Sequence, residues 1–250
     1  MMHLLDLLFV ASLAAIPLAG CSPIDRAAAD RLAATGELVA LSGGDAGATN
    51  ACIACHGIDG RGNGAGAPRL AGLDRGYQEA QLQAYSDGRR DHPEMQWIAK
   101  HLGPGQRQAV SAHYAALPFV ADARAMPANG PAARLYQHGD PARGLASCAS
   151  CHGVRGEGLG PANPPLAGQS APYIAEQLER WRHSARRNDP QNVMLRISQQ
   201  LSRPESGDLA DYAAALPGDP LRPGSPEAFR EARRGDPRND ASTTPPRGAE

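Results

Sequence analysis

The chain has 250 residues, with 25 basic and 26 acidic side chains and a formal charge of −1. Its basic residues are scattered and form none of the runs that a nucleic-acid-binding protein needs, so that class is excluded. Aromatic residues make up only 4% of the chain, which is few for filling a core. Alternating β-branched segments are absent, while Ala-rich stretches with helical spacing are common, and this pattern predicts an all-α fold.

The first 20 residues are predicted to be a signal peptide. Residues 7–20 are apolar, too short to span a membrane, and end in small residues. The tetrapeptide Leu-Ala-Gly-Cys that ends at Cys21 resembles a bacterial lipobox, so Cys21 is predicted to be lipidated and to hold an exported, periplasmic protein at a membrane surface. Because the first six residues lack Lys and Arg and include Asp6, ordinary cleavage near Gly20 with a free Cys21 is the alternative. Residues 21–42 follow as a lead segment.

A five-residue motif, Cys-x-x-Cys-His, begins at Cys52 and again 96 residues later at Cys148. Two cysteines three residues apart lie on one face of a helical turn, so both thiols can add to the vinyl groups along one porphyrin edge. The histidine that follows then lies beneath the iron, for which imidazole is a good ligand. The motif is the attachment signature of c-type heme. It predicts two covalently bound heme c groups, held by Cys52 and Cys55 and by Cys148 and Cys151, with His56 and His152 as axial ligands.

Other uses of paired cysteines fit this chain less well. A zinc site wants its two pairs roughly 15–20 residues apart, whereas 92 residues separate these pairs. A thioredoxin-like redox pair needs a βαβ context and gives no reason for a histidine after both pairs. Since four of the five cysteines belong to the motifs and Cys21 stands alone, none remains for a structural disulfide.

The two motifs belong to a longer internal repeat. The glycine-rich loop after the first motif and the Pro-x-Leu-x-Gly sequence that begins at Pro68 recur 96 residues later, the latter at Pro164. A three-residue insertion follows, so that Met95 pairs with Met194 at an offset of 99. Each copy is predicted to contain a short helix leading into Cys-x-x-Cys-His, a glycine loop, a middle helix, a methionine loop and a final helix. The predicted organisation is one domain at 43–118, a linker at 119–131, a second domain at 132–217 and a disordered tail at 218–250.

With these motifs all present twice, the chain resembles tandem class I cytochromes c, most closely the diheme cytochrome c4 family, over residues 43–217. The resemblance implies that Met95 and Met194 are the sixth iron ligands. It also implies that the carbonyl groups of Pro68 and Pro164 accept a hydrogen bond from the axial histidines. In the first domain His92 and His101 flank Met95 and are the alternative ligands. Four arginines precede the methionines and either pair with heme propionates or are solvated: Arg89, Arg90, Arg186 and Arg187.

Methionine and histidine together leave iron six-coordinate, and the soft thioether favours the ferrous state. No position is then open for a substrate, so no catalytic residue is predicted. The predicted function is single-electron transfer between respiratory-chain partners, such as a quinol-oxidising complex, a dehydrogenase or a terminal oxidase. One alternative is a diheme peroxidase, which needs one iron that can bind peroxide. The other is a fixed electron-transfer subunit of a membrane dehydrogenase or oxidase.

Overall fold

The computed structural model describes residues 35–119, 121 and 126–219. Within these ranges the regular elements are α-helices and short 3-10 helices, with only isolated bridges between extended residues. The predicted all-α fold is confirmed. The predicted signal peptide, Cys21 and all but the first two residues of the predicted tail lie outside the described residues.

The described chain forms two successive sets of helices with the same order. The first set consists of α1 (35–42), α2 (Ile53–His56), α3 (Arg75–Ser86), α4 (Pro93–His101) and α5 (Pro104–Ala116). The second set consists of α6 (Pro131–His138), α7 (Ala149–His152), α8 (Ala171–Arg182), α9 (Val193–Gln200) and α10 (Arg203–Ala214). In each set the middle helix, α3 or α8, packs against the two helices that follow it. The internal repeat in the sequence is therefore a repeat of the fold.

Helix α1 is part of the first domain. A Cβ atom at Gly36 would overlap the carbonyl oxygen of Ala109, so only glycine allows α1 to cross α5 this closely. Val39 of α1 is buried in one cluster with Val110 and Tyr114 of α5. Residues 35–42, the last part of the predicted lead segment, thus bury apolar side chains in the core of the first domain. In the second domain Tyr136 of α6 and Tyr212 of α10 pack with ring centres 5.4 Å apart.

The two predicted methionine loops are the first turns of helices. Pro93 occupies the first turn of α4, and the preceding residue, His92, accepts a hydrogen bond from the backbone N–H of Met95. In α9 the backbone N–H of Met194 donates to the Asp189 carboxylate at 2.8 Å. Both methionines therefore follow a side chain that satisfies the free N–H groups at a helix start.

The two domains pack through the segments that follow α3 and α8. Arg90 and Arg186 form an isolated antiparallel bridge. On either side, the Asp91 N–H donates to the Ala185 carbonyl group and the Arg187 N–H donates to that of Arg89, each at 2.7 Å. Equivalent parts of the repeat thus meet at an approximate two-fold axis. In the described part of the chain, the search for a helix long and apolar enough to cross a membrane finds none.

Two candidate heme-binding sites

Each Cys-x-x-Cys-His motif forms a single helical turn. The His56 N–H donates to the Cys52 carbonyl oxygen at 2.9 Å, and His152 and Cys148 repeat this bond at 2.9 Å. In both turns the first cysteine is half-buried and the second, Cys55 or Cys151, is exposed. Two sulfur atoms beside the rim of a small core suit the thioether bonds that attach one edge of a heme.

Each motif histidine is hydrogen-bonded through one ring nitrogen, and His56 is buried while His152 is half-buried. Nδ1 of His56 lies 2.9 Å from the Pro68 carbonyl oxygen, and Nδ1 of His152 lies 2.8 Å from that of Pro164. Because a carbonyl oxygen can only accept, Nδ1 carries the proton and Nε2 keeps its lone pair. Burial lowers the pKa of both histidines below the ordinary value, although the proline carbonyl acts in the opposite direction. Both imidazoles are therefore neutral near pH 7 and suited to bind iron through Nε2.

The glycine-rich loop brings each proline to its histidine. The Gly62 N–H donates to the His56 carbonyl oxygen at 2.8 Å, and the Leu70 N–H donates to that of Gly60, also at 2.8 Å. A Cβ atom at Gly62 would lie 2.5 Å from the Ala67 carbonyl oxygen, and the residue has φ +77°. Only glycine fits this position, because it tolerates both the positive φ and the close backbone.

The methionines and the rival histidines have different surroundings. Met95 and Met194 are half-buried at the same place in the repeat, in the first turns of α4 and α9. His92 lies close enough to His56 to contribute to the lowering of its pKa, after the larger effect of burial. His101 is exposed and stacks on Trp97 with ring centres 3.9 Å apart. Of the two histidines that flank Met95, only His92 is thus placed near the first site.

Two arginines that sequence reasoning left unassigned are buried at the domain interface. Arg90 and Arg186 are 3% and 4% exposed, whereas their neighbours Arg89 and Arg187 lie on the surface. The Arg-Arg pair recurs in both copies of the repeat, which indicates a shared role in the sequence. Which arginine of each pair is buried depends on packing.

Neutral groups surround these two cations. Arg90 donates to the Tyr173 hydroxyl group at 2.6 Å and to Gln177 at 2.7 Å, while Arg186 donates to Gln81 at 3.0 Å. Among the described residues neither guanidinium forms an ion pair with a carboxylate. A buried charge normally needs a counter-charge.

A buried N–H group at the same place also lacks an acceptor. Nε1 of Trp181 is buried without a hydrogen-bond partner in the described part of the chain, and the Arg186 guanidinium lies 3.9 Å from the centre of its ring. Heme carries two propionate groups, which are anionic hydrogen-bond acceptors. The buried arginines and the free indole N–H therefore fit a heme at this interface, as the neutral histidines fit its iron.

Two helical domains, each with a Cys-x-x-Cys-His turn and a neutral histidine held by a proline carbonyl group, define a c-type cytochrome with two hemes. A family model described as cytochrome c matches residues 42–117 and 132–214. The chain belongs to the cytochrome c family and carries two covalently bound heme c groups.

Relatives and solved structures agree with this assignment. The chain is 42% identical to the thiosulfate dehydrogenase electron acceptor of Stutzerimonas stutzeri (strain A1501), over 73% of this chain and 86% of that protein. It is 33% identical to cytochrome c4 of Pseudomonas aeruginosa, over 71% and 92%.

The structure of reduced recombinant cytochrome c4 from Pseudomonas stutzeri matches with a TM-score of 0.62 and 28% identity, over 73% of this chain and 97% of that chain. A thiosulfate dehydrogenase from Marichromatium purpuratum matches with a TM-score of 0.64 and 35% identity, over 81% of this chain but only 42% of that longer chain. The predicted resemblance to cytochrome c4 is confirmed, and the protein is a diheme electron-transfer cytochrome.

Proposed function

We propose that this cytochrome accepts single electrons from a thiosulfate dehydrogenase and passes them to a respiratory acceptor. The observation that carries the proposal is the 42% identity, over most of its length, to a protein named as the electron acceptor of that enzyme. A second such relative, from Thiomonas intermedia, is 37% identical over 82% of its length. The cytochrome is the carrier in this pair, and oxidation of thiosulfate belongs to its partner.

The proposed iron ligands are His56 with Met95, and His152 with Met194. Support comes from the Nδ1 bonds that leave Nε2 of both histidines free, and from the equivalent half-buried positions of the two methionines. When bound, heme iron supplies one-electron chemistry by alternating between its ferric and ferrous states. A neutral histidine and a thioether would together leave iron no free position, so the protein would carry electrons and would not bind substrate at iron.

Arg90, Arg186 and Trp181 are proposed to bind heme propionates. Their burial at the domain interface supports this role, because an unpaired cation is costly there and an anionic acceptor would satisfy both guanidinium and indole groups. Propionates held at one interface would bring the two cofactors together. Electrons could then pass between the two hemes inside one chain.

Two exposed apolar residues are proposed as contacts for redox partners. Ile58 and Val154 follow the two attachment motifs at equivalent places in the repeat and are 72% and 58% exposed. Each lies two residues beyond an axial histidine, so a partner that covers it approaches the heme closely. Because each domain has one of these residues, the carrier would have one apolar surface for the electron donor and another for the electron acceptor.

Anaerobic mixing tests the partner. Oxidised cytochrome is combined with a thiosulfate dehydrogenase and thiosulfate, and heme reduction is followed by absorbance. We expect reduction of both hemes, two electrons per chain, only when enzyme and thiosulfate are both present. No reduction, in a sample that dithionite reduces fully, would reject thiosulfate dehydrogenase as the donor and favour a quinol-oxidising complex or another dehydrogenase. Co-purification with a membrane complex after mild detergent extraction would instead indicate a fixed subunit.

The protein is proposed to be periplasmic and anchored through Cys21. Support comes from its relation to cytochrome c4 and from the lipobox-like sequence at the end of the apolar leader. Replacing Cys21→Ser should move the heme-containing protein from the membrane fraction to the periplasmic extract. If the original protein is already in the extract, Cys21 is not lipidated.

A further inference from the structure

One peptide unit beside the first heme site is hydrogen-bonded at both ends. The carbonyl oxygen of Pro68 accepts from Nδ1 of His56 at 2.9 Å. In the same planar peptide, the N–H of Arg69 donates to Oε1 of Gln169 at 2.9 Å. Nε2 of Gln169 returns a hydrogen bond to the Arg69 carbonyl oxygen at 3.1 Å. Gln169 belongs to the second domain, so a side chain of one domain holds the peptide that orients the histidine of the other.

Residue 69 is firmly held against the second domain. Arg69 is 1% exposed and Gln169 is 6% exposed. The Arg69 guanidinium donates to the carbonyl groups of Ala71 at 2.7 Å and Ala167 at 3.1 Å, and it lies 3.9 Å from the centre of the Phe119 ring. Backbone and side-chain contacts together therefore leave the Pro68–Arg69 peptide little freedom to turn.

The arrangement cannot be repeated at the second heme. At an offset of 96, Arg69 corresponds to Pro165, which has no N–H to donate, and Gln169 corresponds to Leu73, which has no amide. The Pro164 carbonyl group that accepts from His152 thus belongs to a peptide without an N–H group. The second domain therefore holds the proline peptide of the first heme site, but the first domain does not hold that of the second site in the same way.

We propose that Gln169 is a positioning residue that tunes the first heme from the second domain. The inference rests on the proposed ligation of iron by His56. An N–H group that donates a hydrogen bond polarises its peptide and makes the carbonyl oxygen a stronger acceptor. A stronger bond from Nδ1 increases the basicity of the histidine toward iron and favours the ferric state. Gln169 therefore lowers the reduction potential of the first heme and leaves that of the second unchanged.

The test compares full-length, heme-loaded protein with its Gln169→Leu variant, which places in the second domain the residue found at the equivalent position of the first. In a spectroelectrochemical titration we expect the one-electron equilibrium of the first heme to shift about threefold toward reduction, an increase of about 30 mV. The second heme should keep its potential. The wave that moves in Met95→Ala identifies the first heme.

Proton exchange supplies an independent readout. In the diamagnetic ferrous protein the Nδ1 proton of His56 can be followed by NMR, and it exchanges with water only when its bond to Pro68 opens. Loss of about 1 kcal/mol from that bond predicts roughly fivefold faster exchange in Gln169→Leu, with no change at His152. Gln169→Glu keeps the acceptor for the Arg69 N–H, so it should restore most of the slow exchange.

Gln177→Leu is the matched control, because Gln177 is also 6% exposed and also bonds across the domain interface, to Arg90. It should leave exchange at His56 unchanged. Equal effects of the two leucine variants, or an unchanged first heme in Gln169→Leu, would overturn the inference. A failure of the proposed ligation is distinguishable, since the unmodified protein would then lack the spectrum of methionine-bound low-spin iron.

Discussion

At the residue scale, each heme site depends on a histidine whose two ring nitrogens have separate tasks. Nδ1 donates to a proline carbonyl group at 2.8–2.9 Å, and Nε2 remains available to iron. The methionine that completes the proposed ligand pair comes from a different helix, about 40 residues along the chain in each domain. Met95 and His92, the two candidates for the sixth ligand of the first heme, lie only three residues apart.

Replacing the methionines tests this choice. In Met95→Ala the reduction potential of the first heme should fall, because the thioether favours ferrous iron, and the reduced heme should bind carbon monoxide. Met194→Ala should do the same at the second heme only. Redox titration and carbon monoxide difference spectra measure both effects. His92→Ala removes a cap of α4 but no proposed ligand, so its reduced first heme should not bind carbon monoxide. The opposite result, with carbon monoxide binding in His92→Ala and not in Met95→Ala, would establish histidine ligation. Rapid turnover of peroxide by the unmodified protein would favour the peroxidase alternative.

Alanine substitutions at two glycines of the first loop distinguish the cost of a positive φ from the cost of steric overlap. Gly62 and Gly64 both have positive φ, but only at Gly62 would a Cβ atom meet other backbone atoms. Gly64→Ala should lower the free energy of unfolding by about 1–2 kcal/mol, the cost of a left-handed alanine. Gly62→Ala should cost roughly 2 kcal/mol more because of overpacking. Guanidinium unfolding of the heme-loaded proteins measures the difference, and equal losses would contradict the role assigned to Gly62.

At the element scale, helix starts distinguish the two otherwise similar domains. Helix α10 begins with a complete capping box, formed by Ser202 and Glu205 of a Ser-x-x-Glu sequence. The equivalent helix α5 begins after Gly103, which provides no side-chain cap. The final helix of the second domain thus has a side-chain cap that its counterpart lacks. This cap includes an ionisable residue, Glu205.

The capping box makes a testable contribution to stability that depends on pH. The Arg143 side chain, followed by the backbone N–H of Ser202, lowers the pKa of Glu205 from 4.5 to about 2. A lowered pKa in the folded state means that the stabilisation is complete above the ordinary value and is lost as the pH falls through about 2. The difference in free energy of unfolding between the unmodified protein and Glu205→Gln should be constant above pH 6 and shrink between pH 5 and 2. A difference that does not vary with pH would contradict the ionic interaction.

At the scale of the whole molecule, the domain interface joins two cations that share neutral partners. Oε1 of Gln81 and Oε1 of Gln177 each accept from both Arg90 and Arg186, at 2.7–3.0 Å. Like charges so close together repel unless an anion lies between them. Propionates at this place would change a repulsive pair into the link between the domains.

Arg90→Met should therefore weaken domain packing in the heme-loaded protein. It removes two hydrogen bonds from a charged group across the interface, so we expect a loss of about 3 kcal/mol, roughly a hundredfold in the packing equilibrium. Small-angle scattering should show a larger radius of gyration. Arg89→Met is the control, because its side chain is exposed and bonds to Asp87 within the same domain. Tighter packing in Arg90→Met would mean that the two cations repel without an anion.

The sequence by itself determined the features that depend on neighbouring residues and on repetition. Cys-x-x-Cys-His requires only one helical turn, so heme attachment at Cys52 and Cys148 follows from spacing. The 96-residue offset revealed two domains, and the absence of strand patterns indicated helices. The capping box at Ser202 also follows from local sequence, because its two hydrogen bonds join residues only three apart.

Only the tertiary structure decided the features made by segments far apart in the chain. Arg89 and Arg90 are chemically identical, yet one is solvated and the other is buried by a helix of the second domain. Gln169 meets a peptide 100 residues away, and α1 joins the first core through its crossing with α5, before the point where the sequence placed the domain start. Such contacts have no local signature, because burial is a property of the packed surfaces that surround a residue and not of the residues beside it in sequence.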